Sequence, residues 1–169
     1  KKDRENLPDL KGALGEILIE LVIKDPSSIN GIQLNDSQKE QIQESINLLT
    51  SAWNCVADTG LRKMRLTWIV NRGFAKRLLG DIGGAIEDAD IALRMEPSNP
   101  TFMGNRGLLA HKINDNRKAI TLLKKILSIK QIPEVSLLLA EILRKEKKFP
   151  DTIGVINDLL ESNLPKSSK

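Results

Sequence analysis

The tripeptide Asn71-Arg72-Gly73 occurs again as Asn105-Arg106-Gly107, 34 residues later. The matches that follow keep the same register: Gly80-Asp81 with Asn114-Asp115, Ala85-Ile86 with Ala119-Ile120, and Leu93 with Leu127. A fixed period of this length is typical of proteins built from stacked supersecondary units. The period therefore predicts a repeat architecture, in which each unit buries its apolar face against its neighbours.

The segment from Leu66 to Asn99 resembles a tetratricopeptide repeat, a pair of antiparallel helices (helix A, then helix B) with small residues where the helices cross. The small residues of this pattern are Gly73 on helix A and Ala85 and Ala92 on helix B, with Pro97 near the end of the unit. The next unit keeps Gly107 and Ala119, and a third, one residue shorter, has Ala140 and Thr152 at these places. Close packing of two helices requires a nearly absent side chain at the crossing, so these residues are predicted to be core contacts.

The resemblance implies an all-α fold, a right-handed superhelical stack of antiparallel helix pairs. We expect about eight helices and no sheet. Three repeats are predicted at about 61–99, 100–132 and 133–165, with a tail at 166–169. Residues 1–60 lack the Gly/Ala signature in phase and are predicted to form an N-terminal helical hairpin, a degenerate or capping repeat.

The hairpin has its own start and stop signals. Asp25-Pro26 ends its first helix at Lys24. Ser37 and Glu40 form a capping-box pattern that is predicted to start the second helix. Gly60 is the predicted C-cap of that helix, and helix A of the first clear repeat is predicted to begin near Leu61.

Composition narrows the functional classes. No apolar run reaches membrane-spanning length, so no membrane partner is expected. The net charge of +4 is too small to indicate nucleic acid by itself. Cys55 is the only cysteine, which fits a cytoplasmic protein, and its place between Trp53 and Val56 predicts a buried structural thiol. Because the chain starts at Lys1 rather than Met, we expect it to be part of a longer protein.

The sequence offers no catalytic residues, and we predict that the chain is not an enzyme. His111 is the only histidine, and Asp115 lies in a predicted turn rather than at an orienting position. No metal-ligand spacing is present, and no cofactor is expected. Gly80, Gly83 and Gly84 follow no strand and precede no Gly-Lys-Ser/Thr, so a phosphate-binding loop is disfavoured.

The resemblance implies a function in protein–protein interaction, with a partner peptide or helix held in the concave groove lined by helix A residues. Carried over to this chain, the groove positions are Thr67, Val70, Asn71, Phe74 and Leu78 in the first unit, Thr101, Gly104, Asn105, Leu108 and Lys112 in the second, and Leu137, Glu141 and Lys145 in the third. Asn71 and Asn105 could pair with a peptide backbone, since an amide both donates and accepts hydrogen bonds. Alternatively they cap or bridge neighbouring helices.

Some members of this family clamp a carboxy-terminal carboxylate with two basic residues in a third unit. This chain has Glu134 and Leu138 there, which argues against carboxylate capture. The alternative function is a helical-repeat nucleic-acid-binding domain using the basic helix 61–77, together with a second basic group, Arg144, Lys145, Lys147 and Lys148. Few aromatic residues are present to stack on bases, and a solvated helix face is the better explanation of such basic runs.

Overall fold

The computed structural model describes residues 7–24, 34–56 and 62–163, and within these ranges it contains eight helices and no strand. The helices are α1 (Pro8–Lys24), α2 (Asp36–Cys55), α3 (Arg62–Leu78), α4 (Ile82–Met95), α5 (Pro100–Lys112), α6 (Asn116–Ile129), α7 (Pro133–Lys145) and α8 (Phe149–Asn163). The all-helical prediction is therefore confirmed. The predicted Gly60 cap, the helix start near Leu61 and the tail lie outside the described residues.

The chain divides after Met95 into two compact units. In the first unit, α2 packs on α1 and on α3, and α3 packs on α4. In the second unit, α6 packs on α5 and on α7, and α7 packs on α8. In both units, therefore, a helix B contacts its own helix A and the helix A that follows it.

Three helix pairs share one turn. Gly80, Asn114 and Lys147 adopt left-handed φ values of 84°, 61° and 58°. In each turn the next amide donates 2.9 Å back to a helix A carbonyl five residues earlier, as Asp81 N–H does to Lys76 O. Residues with φ > 0 end a helix by satisfying its last carbonyls, and glycine does so at the least steric cost. The equivalence of Gly80-Asp81 and Asn114-Asp115 that the sequence predicts is confirmed.

The crossing of α1 and α2 also depends on small residues. A Cβ on Gly15 would lie 2.8 Å from the Leu49 Cγ and 3.2 Å from the Ser45 carbonyl oxygen. The Ser45 hydroxyl donates to the Gly15 carbonyl at 2.7 Å. Ser45 and Ala52, both 0% exposed, are spaced like Ala85 and Ala92. The hairpin thus packs as the later pairs do, although 30 residues separate Gly15 from Ser45.

Two local predictions were wrong. Helix α2 is capped by Asn35, whose side chain accepts from the Gln38 N–H at 2.8 Å while the Gln38 amide oxygen accepts from the Asn35 N–H at 3.0 Å. Burial of Leu34 in the core fixes where the chain enters α2, so the Ser37–Glu40 capping box is not used. Cys55 is exposed rather than buried, because it lies at the last residue of α2 and off its apolar face.

Candidate peptide-binding surface

The predicted groove residues of α3 are only partly accessible. Thr67 is exposed, whereas Val70 and Asn71 are half-buried. Phe74 and Leu78 pack against the core of the first unit, a cluster that includes Ile42 and Leu49. The accessible part of this surface is therefore polar, and its apolar members also serve the core.

Asn71 is hydrogen-bonded to Glu16 of α1. Burial raises the pKa of Glu16, while the hydrogen bond from Asn71 acts to lower it and the negative charge of Glu20 raises it further. Asn71 thus bridges α3 to α1 at the Glu16 carboxylate. Sequence reasoning missed Glu16 and Glu20; the signal that could have found them is Gly15, which marks the helix crossing on α1.

The second unit exposes more of its predicted groove. Thr101, Asn105, Leu108 and Lys112 on α5 are exposed, and Gly104 is half-buried. On α7, Leu137, Glu141 and Lys145 are exposed, with Leu108 at 42% and Leu137 at 60%. A large apolar side chain on each of two helix A elements, beside polar groups, is suited to contact with another chain.

Two charged residues of α7 form an ion pair. The Lys145 ammonium lies 2.7 Å from a Glu141 carboxylate oxygen. The hydrogen bond and the charge of Lys145 hold the pKa of Glu141 below its usual value, and His111 of α5 acts in the same direction. That Asn71 and Asn105, which belong to different units, line one groove stays a prediction.

Most basic residues of α3 contact other groups of the chain. Arg72 donates to both oxygens of Asp88, at 2.9 and 2.7 Å, and Lys76 lies 3.0 Å from the same carboxylate. Asp88 is 1% exposed, so the three side chains form a buried ion cluster between α3 and α4. Arg72 also donates to the Thr50 hydroxyl of α2 at 3.3 Å.

Three of the other cations of this helix also have partners among the described residues. The Arg65 guanidinium lies 4.1 Å from the Trp53 ring centroid, and that of Arg77 lies 4.8 Å from the Phe74 ring centroid. Arg62 donates to the Met95 carbonyl. Lys63 is exposed. Binding to a phosphate backbone needs cations that face solvent. Because most cations of α3 contact other groups of the chain, this helix is poorly suited to nucleic-acid binding.

The described residues hold no group of three or more His, Cys, Asp or Glu side chains arranged to bind a metal. Across the same residues no helix combines the length and apolar character that crossing a membrane requires. A cavity of about 470 Å³ lies in the second unit between α6, α7 and α8, where Lys124 of α6 pairs with Asp151 at 3.4 Å.

Comparison with known proteins identifies the fold. Neither a protein-family model nor a curated protein matches the chain. Among solved structures, a crystal structure of MamA is 14% identical, with a TM-score of 0.62 over 87% of this chain and 85% of that chain. MamA AMB-1 in a P212121 crystal is 10% identical, with the same TM-score over 95% and 91% of the two chains. The chain is similar to these structures and has an all-helical, tetratricopeptide-like repeat fold.

Proposed function

We propose that the chain is a protein-interaction module that holds an extended segment of a partner protein along its helix A faces. The observation that supports this most directly is the exposure of Leu108 and Leu137 on α5 and α7 of one unit. Covering large apolar side chains removes them from water, which is the dominant favourable term in most protein association. Both leucines occupy positions that the tetratricopeptide resemblance assigns to peptide contact.

The polar groups around these leucines define what the partner segment would present. The exposed Asn105 amide can pair with an extended backbone whatever its side chains are. Glu134 and Leu138 replace the cations that would hold a terminal carboxylate, so the partner segment is internal. In the first unit, Glu16 lies beside Asn71 and favours a basic residue in a partner that reaches it.

The test begins with peptides selected from a random display library against the purified chain. Replacing Leu108 and Leu137 together by alanine should lower the affinity for the best peptide by about tenfold or more. A tenfold loss of affinity corresponds to about 1.4 kcal/mol of binding free energy. The matched control replaces Ile113 and Ile129, which are 49% and 53% exposed but outside the proposed surface. Loss of binding in the control but not in the leucine pair would refute the site.

Two further measurements separate the candidate functions. Replacing Asn71 and Asn105 by alanine should weaken peptide binding by about 0.5–1.5 kcal/mol for each hydrogen bond lost. Peptide binding should depend little on salt, whereas phosphate contacts would give a steep dependence. Tight binding of a random-sequence RNA that disappears at physiological salt would favour the nucleic-acid function instead.

A further inference from the structure

Helix α1 is apolar on two opposite faces. Gly12, Gly15, Ile19 and Val22 form its buried face. The α1 stripe, Leu10, Leu14, Ile17 and Leu21, lies opposite and is 62%, 45%, 51% and 57% exposed. These residues follow steps of four, three and four, so they form one continuous ridge. A helix with apolar side chains on two opposite faces normally has both faces covered.

Helices α3 and α7 show what covers this face elsewhere in the chain. Aligned at the crossing residues Gly15, Gly73 and Ala140, Leu14 and Ile17 correspond to Arg72 and Ala75 of α3 and to Leu139 and Ile142 of α7. Arg72 hydrogen-bonds to Thr50 of α2, and Ala75 is 0% exposed in the cluster with Leu49 and Ala52 of α2. Leu139 and Ile142 are also 0% exposed. The α1 stripe is therefore the surface that receives a preceding helix B.

Helix α8 presents the complementary surface. Thr152 is buried and Val155 and Leu159 are half-buried on its inner face. The α8 stripe, Phe149, Ile153, Ile156 and Leu160, is 56%, 59%, 40% and 60% exposed, again with steps of four, three and four. Aligned at Thr152 and Ser45, Leu160 corresponds to Trp53 of α2, on which Arg65 of α3 stacks. The α8 stripe is therefore the surface on which a following helix A packs.

We propose that the α8 stripe of one copy packs on the α1 stripe of another, so that copies associate head to tail. The contact would repeat the helix B to helix A packing that joins α2 to α3 and α6 to α7. The occupant is a second copy because the chain itself carries both halves of this contact, with four apolar residues at identical spacing on each. Such an interface is heterologous and leaves one free stripe at each end of every assembly.

The contact involves one helix from each copy, so it belongs to the small class of interfaces, roughly 1,000 Å² or less, which are typically weak. Self-association should therefore depend on concentration over the range from about 10 µM to about 1 mM. Sedimentation velocity of the 169-residue chain over this range should show the average mass rising beyond that of a dimer.

Two variants test the direction of the contact. Leu14→Glu with Ile17→Glu disables the α1 stripe, and Ile153→Glu with Leu160→Glu disables the α8 stripe. Each variant alone should be monomeric, because it retains only one working surface. Mixed together they should form a one-to-one dimer that grows no further. The charge-matched control, Gln43→Glu with Asn47→Glu on the exposed side of α2, should self-associate as the unchanged chain does.

A monomer throughout the concentration range would overturn the proposal, as would a mixture of the two variants that stays monomeric. Dimerisation of the α8 variant by itself would show that α1 pairs with α1 and would also overturn it. Circular dichroism checks that the variants are folded. Should the glutamates unfold the chain, glutamine at the same four positions provides the same comparison without charge. The Leu108 and Leu137 variant should keep its self-association, which separates this contact from peptide binding.

Discussion

Replacing Asp88 by alanine should lower the free energy of unfolding of the first unit by about 3–5 kcal/mol, the range found when one partner of a buried ion pair is removed. The Asp88 carboxylate accepts two hydrogen bonds from Arg72, at 2.9 and 2.7 Å, and forms an ion pair with the Lys76 ammonium at 3.0 Å. Its side chain is 2% exposed, and those of Arg72 and Lys76 are 11% and 17% exposed. The substitution therefore leaves two largely buried positive charges without their counter-charge.

The two tryptophans of the chain, Trp53 and Trp68, both belong to the first unit, so tryptophan fluorescence during urea unfolding reports on this unit. The Asp88→Ala transition should move to lower urea. The control is Glu20→Ala, which removes an exposed pair with Lys24 whose side chains are 65% and 74% exposed. Exposed pairs contribute about 0–1 kcal/mol, so this control should shift the transition little.

A loss below about 1 kcal/mol for Asp88→Ala would refute the reasoning, because it would mean that the buried carboxylate stabilises no more than a surface one. A second comparison separates charge from packing. Asp88→Leu combined with Arg72→Met and Lys76→Met should recover most of the stability, since apolar groups of similar volume can replace a buried ion cluster at little cost. If the triple variant is no more stable than Asp88→Ala, the loss reflects altered packing at the crossing of α3 and α4.

Three further substitutions give distinct outcomes in urea unfolding. Gly12→Ala should destabilise the first unit by about 1–3 kcal/mol, because a Cβ at this position would lie 2.0 Å from the Trp68 Nε1 and overpack the contact. An unchanged unfolding transition would show that Trp68 does not lie over α1. Gly154→Ala meets nothing within 4 Å on α8 and should stabilise the second unit by up to about 1 kcal/mol, measured by circular dichroism. Glu16→Gln should stabilise the first unit more at neutral than at acidic pH. The pKa of Glu16 is raised in the folded state, so its contribution is full below the pKa of an unfolded glutamate and is lost as the pH rises through the folded pKa. A difference from the unchanged chain that does not grow with pH would contradict this assignment.

Much of the architecture could be predicted from the sequence because its determinants are local. The Gly80-Asp81 and Asn114-Asp115 turns depend on residues that tolerate a left-handed φ, and the structure has that φ at Gly80 and Asn114. Pro133 marks the start of α7 as predicted, since proline suits the first helical turn. The 34-residue period can be recognised from the sequence alone. For the candidate site, the same register selects the predicted groove residues of each helix A. Leu108 and Leu137 among them are exposed, and their role in binding stays a prediction.

Other features were decided by the tertiary structure, because burial and charge pairing depend on which helices meet. The sequence shows Arg72 and Lys76 as part of a basic helix, but only the packing of α4 on α3 places Asp88 beside them. Asn71 likewise gains Glu16 as a partner only because α1 lies against α3. The packing role of Gly15 and Ser45 was hidden by the long connection between their helices and became visible only at their contact. Local pattern thus determined the repeat and its turns, whereas contacts between helices distant in sequence determined which polar residues serve the core and which apolar residues remain exposed.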